Sequence, residues 1–206
     1  MATKQYSEAL PRTRRLWERP LLMVVILAML VSAYLGTAPK GYAQDPPPDY
    51  QIKAAYLFNF IKYVEWPEEA FADPLAPIVI GIVGDDPFGS ALPQVVVGKT
   101  VQGRDLVIRK YRAGEDLRSS QILFISASEK KRIPQLLASL LGSSTLTVAD
   151  VNGFLEEGGM IELFCEGNRV RFSIDLDATI RAKLKISAKL LNLARIAGHS
   201  GKEGGS

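Results

Sequence analysis

The chain has 206 residues, 47% of them hydrophobic, which suits one globular domain with a core of ordinary size. Its 25 basic and 22 acidic residues give a formal net charge of +3. Residues 1–43 hold six basic and two acidic residues, so the remainder has 25 − 6 = 19 basic and 22 − 2 = 20 acidic residues. The excess of basic residues therefore lies in the N-terminal segment, and the net charge gives no argument for nucleic-acid binding by the rest of the chain, so we expect no nucleic-acid partner.

The N-terminal segment has the features of an export signal. Four arginines between residues 12 and 19 precede an uncharged apolar run from Leu21 to Leu35, and a small-residue site follows at Gly41 to Ala43. This order predicts a signal peptide over residues 1–43 that is cleaved after Ala43. The alternative is an uncleaved helix over residues 21–36 that anchors the chain in the inner membrane. Both interpretations place the rest of the chain outside the cytoplasm.

A proline-rich linker, residues 44–49, leads into the first predicted helix. In the segment that follows, six residues recur at helical spacing: Ile52, Ala55, Phe58, Asn59, Ile61 and Lys62. Pro67 is expected to end this helix. The pattern predicts a half-buried helix that is rich in aromatic residues.

Strand-like segments follow at regular intervals. They are Ile78–Gly84, Asp105–Tyr111, Gln121–Ser128 and Ser144–Asp150. The first is almost wholly apolar, as expected for a strand that helices cover on both faces of the sheet. Helices are predicted near Phe88 to Val95 and over Glu129 to Leu141, the second with Ser128 as its cap.

The sequence pattern changes in the last third of the chain. Two alternating strands flank the turn Glu166 to Asn168 and predict a β-hairpin, and a final helix is predicted from Asp177 to about Ala197. The pattern indicates an α/β fold, a three-layer sandwich whose mostly parallel sheet carries an antiparallel edge hairpin. We expect one domain over residues 50–197 and a flexible glycine-rich tail over residues 198–206.

The counts of cysteine and histidine restrict the chemistry. Cys165 is the only cysteine and His199, in the tail, is the only histidine. Ser-His-Asp and Cys-His catalysis and histidine-rich zinc sites are disfavoured, so we expect no catalytic residue, metal or cofactor. The alternating strand around Cys165 predicts a small buried hydrophobic residue. If Cys165 is instead a redox thiol, oxidants can act on it only by sulfenylation or by linking two chains.

The predicted strand that begins at Ile78 is followed by a glycine, two aspartates and a proline, and three roles are possible for this strand exit. A phosphate cradle is disfavoured, since the glycine spacing is wrong and Asp85 and Asp86 would repel an anion. A catalytic acid pair is disfavoured because adjacent residues at a strand exit point apart. The third interpretation is that one aspartate caps the next helix while Phe88 packs on the sheet. The carboxyl end of a strand is also where α/β folds bind ligands, so Asp85, Asp86 and Phe88 are the candidate binding residues.

Three segments together resemble the YfiR family of exported bacterial proteins. They are Lys53–Pro67, Ile80–Gly89 and Arg181–Arg195, in this order behind the export signal. The resemblance implies a periplasmic α/β domain that is often dimeric. It further implies a regulatory binding protein rather than an enzyme, whose best-known relative represses an inner-membrane diguanylate cyclase by binding its periplasmic sensor domain, so that cyclic di-GMP and biofilm formation fall.

The resemblance leaves alternatives open. Similar domains precede sensor histidine kinases, so the partner could be the periplasmic domain of such a kinase, and a small-ligand receptor at Gly84 to Phe88 is a further alternative. Relatives can carry paired cysteines consistent with redox sensing, a switch that Cys165 alone cannot reproduce within one chain.

The predicted last helix is the candidate interaction surface. Arg181, Lys185 and Lys189 lie four residues apart and would form a basic stripe beside two apolar strips. Trp66, in the aromatic first helix, is a further interface candidate. The alternative is a helix that packs within its own domain, with lysine stems along its edges.

Overall fold

The computed structural model describes residues 47–112 and 114–197. The predicted signal peptide, the alternative anchor over residues 21–36, His199 and the tail lie outside these ranges. Within them, no helix has both the length and the hydropathy needed to cross a bilayer.

The first helix, α1, spans Pro48–Tyr63, so it includes two residues expected in the linker. Pro48 suits a first helical position because it has no N–H to leave unpaired there. The helix ends where Val64 becomes extended and forms the short strand β1, Val64–Glu65. Its buried residues are Lys53, Ala54, Leu57, Phe60 and Ile61. The predicted helix is therefore confirmed, but most of its buried residues differ from the set whose spacing predicted it, and Ile52 is 46% exposed.

The remaining helices are short. They are α2 (Ala91–Val96), α3 (Ile133–Ser139), α4 (Leu176–Arg181) and α5 (Ala188–Leu191). The remaining strands are β2 (Ile78–Val83), β3 (Thr100–Val101), β4 (Arg104–Tyr111), β5 (Ile122–Ile125), β6 (Leu146–Ala149), β7 (Ile161–Glu166), β8 (Arg169–Ile174), β9 (Lys185–Ile186) and β10 (Arg195–Ile196). Three 3₁₀ helices, Glu68–Ala70, Leu117–Ser119 and Ala127–Arg132, complete the described elements.

Eight of the described strands form one sheet in the order β10-β8-β7-β6-β5-β2-β4-β3. The pairs β7·β8 and β3·β4 are antiparallel and the other pairs of this sheet are parallel. The predicted α/β class, the mostly parallel sheet and the hairpin are confirmed, and β10 adds a strand beyond the hairpin. The strands β1 and β9 form a separate antiparallel pair.

The central strands are buried on both faces, which explains their nearly continuous apolar sequence. In β5, Ile122 and Phe124 belong to the core under α1 and α2, whereas Leu123 and Ile125 belong to the core on the other face, with α3. Alternate residues of one strand thus pack into two different cores, one on each face of the sheet, as a three-layer sandwich requires.

The hairpin between β7 and β8 turns through Gly167 and Asn168, since Glu166 pairs with Arg169. Gly167 has a φ of +59°. A two-residue hairpin whose first turn residue has positive φ favours glycine at that position. The predicted turn is therefore confirmed.

The predicted last helix is wrong. Helix α4 ends at Arg181, Lys183 takes a left-handed φ of +59°, and the chain then forms β9, α5 and β10. Ser187 starts α5 by accepting the N–H of Leu190, and its own N–H donates to the carbonyl of Tyr63 at 2.9 Å. Pairing with β1 thus replaces the helical hydrogen bonds that the sequence pattern predicted.

The predicted helix at residues 129–141 is shorter than expected. Its first part is the 3₁₀ helix Ala127–Arg132, and α3 begins only at Ile133, with Pro134 in its first turn. The capping residue is Ser126, whose side chain accepts the N–H of Ser128. The hydroxyl of Ser128 has another role, described below.

Candidate functional site

Three central strands end at the same edge of the sheet, which we call the carboxyl edge. Strands β2, β5 and β6 are parallel neighbours, and the residues that follow them are Gly84, Ser126 and Asp150. Ligands of open α/β folds bind at such edges, so this region is the first candidate site.

The turn after β2 packs tightly against the turn after β5. The N–H of Asp85 donates to Ser128 Oγ at 2.9 Å. Gly84 has a φ of +89°, and a Cβ there would lie 2.5 Å from Ser128 Oγ and 2.8 Å from Glu129 Cγ. Gly84 is therefore explained by this close packing and by its left-handed backbone.

The prediction that an aspartate caps the next helix is wrong. Helix α2 begins at Ala91 after Ser90, whereas Asp86 Oδ1 accepts the N–H of Phe88 at 2.8 Å and closes a local turn. Asp86 Oδ2 also lies 2.8 Å from Lys110 Nζ, and the Asp86 side chain is only 13% exposed. The neighbouring Asp85 is exposed. Of the two residues, Asp85 is the solvent-exposed one, and Asp86 is mostly buried.

Phe88 is wholly buried. Its ring contacts Phe124 at a centroid distance of 4.7 Å and Tyr50 at 5.6 Å, both in edge-to-face geometry. The residue therefore anchors the turn in the core and has no exposed surface with which to contact a ligand.

A buried ion cluster, formed by Asp49, Tyr50, Lys53 and Asp150, lies beside this turn. Lys53 Nζ is 2.8 Å from Asp150 Oδ2 and 3.0 Å from an Asp49 oxygen. The Tyr50 hydroxyl donates to Asp150 Oδ2 at 2.7 Å, and Lys53 Nζ also lies 4.0 Å from the Tyr50 ring centroid. The side chains of Lys53 and Asp150 are 7% and 6% exposed, so these charges are nearly removed from water.

The cluster shifts the titration of two of its members. Burial, together with the hydrogen bond to Asp150, raises the pKa of Tyr50 from 10.0 to about 12. Burial alone would lower the pKa of Lys53, but the hydrogen bonds to Asp150 and Asp49 outweigh it and raise the pKa to about 12. Tyr50 therefore keeps its proton, and Lys53 its charge, to a higher pH than an exposed tyrosine or lysine does.

One atom of the cluster has an unmet hydrogen bond. Asp150 Oδ1 is buried and accepts no hydrogen bond from any described residue. Residues 47–112 and 114–197 also contain no group of three or more His, Cys, Asp and Glu that could hold a metal ion. Asp150 Oδ1 can still accept one hydrogen bond. Lys53 and Tyr50 are already bonded to Asp150 Oδ2 within the cluster.

The predicted interface residues lie at the opposite edge of the sheet, which we call the amino edge. Trp66 follows β1 and donates its indole N–H to the carbonyl of Gln121, the residue before β5, at 2.9 Å. Lys185 lies in β9, opposite Glu65 of β1. Arg181 ends α4 and Lys189 lies in α5. All three basic side chains are exposed. The predicted helical stripe is wrong: Lys185 lies in the β1·β9 pair and Trp66 follows β1, whereas Arg181 and Lys189 lie before and after β9 in the chain.

The prediction that Cys165 is buried is also wrong, since its side chain is exposed. Cys165 shares a strand face with the buried Ile161 and Leu163, as the alternation predicts. It pairs with Val170 near the turn of the hairpin, where the strand extends beyond the core. An exposed thiol is accessible to oxidants, and a link between chains is the disulfide open to it.

The comparison with known proteins identifies the family. A match to the YfiR/HmsC-like family covers residues 50–195. The chain belongs to the YfiR/HmsC-like family. Members of this family are regulatory proteins of the periplasm that act on diguanylate cyclases.

A solved structure is also similar to the chain. It is the crystal structure of a conserved domain protein from Vibrio cholerae O1 biovar eltor strain N16961, with 12% sequence identity and a TM-score of 0.49. The similarity covers 74% of this chain, and the chain spans 60% of the length of that protein.

The buried ion cluster of this YfiR/HmsC-like protein generates a stability prediction. Lys53→Met leaves the Asp150 and Asp49 carboxylates without a counterion, so we expect the free energy of unfolding to fall by about 3–5 kcal/mol. Lys62→Met, an exposed position of the same helix, should change it by less than about 0.5 kcal/mol. Urea denaturation of both variants measures the difference.

A double variant separates charge from packing. Asp150→Asn added to Lys53→Met removes the uncompensated charge and keeps an acceptor for the Tyr50 hydroxyl. We expect the double variant to be more stable than Lys53→Met. An equal or lower stability would show that the cost does not arise from the unpaired carboxylate.

Tyr50 generates a pH prediction. Because its folded pKa is raised from 10.0 to about 12, its contribution to stability is present below pH 10 and is lost as the pH rises towards 12. The tyrosinate absorbance titration of the native protein minus that of Tyr50→Phe should show one tyrosine with a midpoint near 12. A midpoint near 10 would contradict the cluster geometry.

Asp85 and Asp86 should contribute differently to the stability of the protein. Asp86→Ala removes the acceptor of the Phe88 N–H, and we expect it to lower the free energy of unfolding by about 0.5–2 kcal/mol. Asp86→Asn keeps that acceptor and should lose no more than about 1 kcal/mol, the upper end for an ion pair whose lysine is solvent-exposed, as Lys110 is. Asp85→Ala serves as the matched control and should have little effect. A melting temperature that is lower for Asp85→Ala than for Asp86→Ala would contradict this assignment.

Proposed function

We propose that this protein docks on the periplasmic part of an inner-membrane diguanylate cyclase and represses it, so that cyclic di-GMP falls. The observation that carries the proposal is the family match over residues 50–195, since this family regulates diguanylate cyclases in the periplasm. We further propose export by the segment 1–43 and a homodimer as the functional unit.

The docking surface that we propose is the amino-edge surface, defined by Trp66, Arg181, Lys185 and Lys189. Its three cations are exposed, and none forms an ion pair with another described residue. Exposed cations that no described residue pairs can meet acidic groups of a partner, and the half-buried Trp66 supplies an apolar anchor. The partner surface should therefore carry carboxylates.

The β1·β9 pair fixes this surface. It joins the end of α1 to the C-terminal segment through the register Val64 to Ile186 and Glu65 to Lys185. The bond from Ser187 N–H to the carbonyl of Tyr63 extends the same connection into α5. The cations are thus attached to hydrogen-bonded elements, which reduces the backbone entropy that docking would cost.

Capture of a cyclase tests the proposal. The tagged exported protein is incubated with detergent-solubilised inner membranes of the organism that makes it, and the retained fraction is assayed for synthesis of cyclic di-GMP from GTP. We expect cyclase activity in the retained fraction, and a higher activity once the cyclase is released from the protein. Absence of cyclase activity from the retained fraction would overturn the proposal.

Charge variants locate the surface. Lys185→Glu with Lys189→Glu should retain much less cyclase, because two attractive charges become repulsive. Lys130→Glu with Lys131→Glu makes the same change at two exposed lysines away from the surface and should retain the native amount. Equal losses in the two double variants would show a general charge effect. Asp85→Asn should retain the native amount, and a loss would show that the carboxyl edge contacts the partner.

A further inference from the structure

Two adjoining cavities lie at the amino edge, next to the proposed docking surface. The larger, of about 520 Å³, lies between α3 and the following turn on one side and α4 with the segment before β7 on the other. The smaller, of about 270 Å³, shares Gly142, Ser143, Arg181 and Ala182 with it. Together they form one groove, and the larger cavity alone is of the size that small-molecule sites have.

The larger cavity is aliphatic. Its main apolar lining residues are Pro134, Leu137, Leu140, Leu141, Met160 and Ala178. Leu141 is 74% exposed, so an occupant that covered it would remove apolar surface from water. No aromatic ring lines the cavity among the described residues, so an alkyl chain fits this wall better than a planar ring that needs a stacking partner.

The smaller cavity is cationic. Arg118, Arg181 and Lys183 line it against one acid, Glu69, which gives 3 − 1 = +2. Arg118 donates Nε–H to the carbonyl of Ser139 at 2.9 Å and Nη2–H to that of Leu141 at 3.4 Å. A guanidinium has five N–H donors, so Arg118 is held in place and still has donors for an anion.

Arg181 and Lys183 complete this end of the groove. Both are exposed, and neither forms an ion pair within the described part of the chain. Lys183 has a φ of +59°, a conformation that glycine or asparagine would adopt at lower cost. The lysine is present at a position where the backbone would favour another residue.

We propose that this groove binds a free single-chain aliphatic carboxylate, with the alkyl chain along the leucine-lined cavity and the carboxylate at Arg181 and Lys183. The one acid in the wall of the larger cavity is Glu157, which disfavours a second negative charge in the chain. The groove therefore selects monocarboxylates over dicarboxylates. This ligand site is additional to the proposed docking function and does not depend on it.

Calorimetric titration with decanoate below its micelle concentration tests the site, using the exported protein purified from the periplasm without any partner. We expect one decanoate per chain. Acetate, which has the charge without the chain, and decyltrimethylammonium, which has the chain with the opposite charge, should show no saturable binding. Failure of decanoate to bind, or equal binding of decyltrimethylammonium, would overturn the proposal.

Variants assign the two ends of the groove. Arg181→Gln with Lys183→Asn should raise the Kd of decanoate at least about tenfold, the effect of losing a charge-assisted hydrogen bond, and asparagine tolerates the left-handed backbone. Leu141→Glu should also raise it about tenfold or more. Lys131→Gln and Leu75→Glu make similar changes at exposed residues outside the groove and should leave the Kd unchanged. A native Kd in both groove variants, with native thermal melts, would place the ligand elsewhere and overturn the assignment.

Discussion

The buried ammonium of Lys53 constrains the rest of the structure, because a charge that is 7% exposed must be matched by carboxylates. Asp150, which follows the central strand β6, provides the match and so fixes the start of α1 at the carboxyl edge. A helix that starts at one edge and crosses the sheet ends at the other. There β1 leaves α1 and pairs with β9, which brings the C-terminal segment to the amino edge. The ion cluster at the start of α1 and the β1·β9 pair at its end thus hold the helix that leads to the proposed docking surface.

The sequence pattern predicted the sheet well and the C-terminal segment poorly, for physical reasons. Strands β2, β5 and β6 are covered on both faces, so burial imposes an apolar run that is visible in the sequence. The strands β1, β9 and β10 have two residues each, too few for any periodicity. The helix break at Lys183 uses a lysine at positive φ, where the usual glycine would have marked it. A helix was therefore the natural prediction for residues that tertiary pairing places in strands.

The candidate sites show the same division between local and long-range information. The strand exit at Asp85 and Asp86 is local and was predicted, although the turn replaces the expected helix cap. The ion cluster joins residues 97 positions apart in the sequence, and a lysine within a helix is normally assigned to the solvent face. Its only local signal was the i, i+4 pair of Asp49 and Lys53. Exposure of Cys165 likewise depends on where the core ends, which strand alternation does not reveal.

The two proposals place binding at the amino edge of the sheet. In open α/β folds the carboxyl edge normally binds the ligand. Here several polar groups of that edge bond within the chain: Asp86 closes a turn, Ser128 Oγ accepts the N–H of Asp85, and Asp150 pairs with Lys53, while the carboxylate of Asp85 stays exposed. The amino edge presents Arg181, Lys185 and Lys189, which form no ion pair with another described residue, and Arg181 belongs both to the proposed docking surface and to the groove wall. An occupant of the groove would therefore alter the charge that the docking surface offers, which couples the two proposals through one side chain.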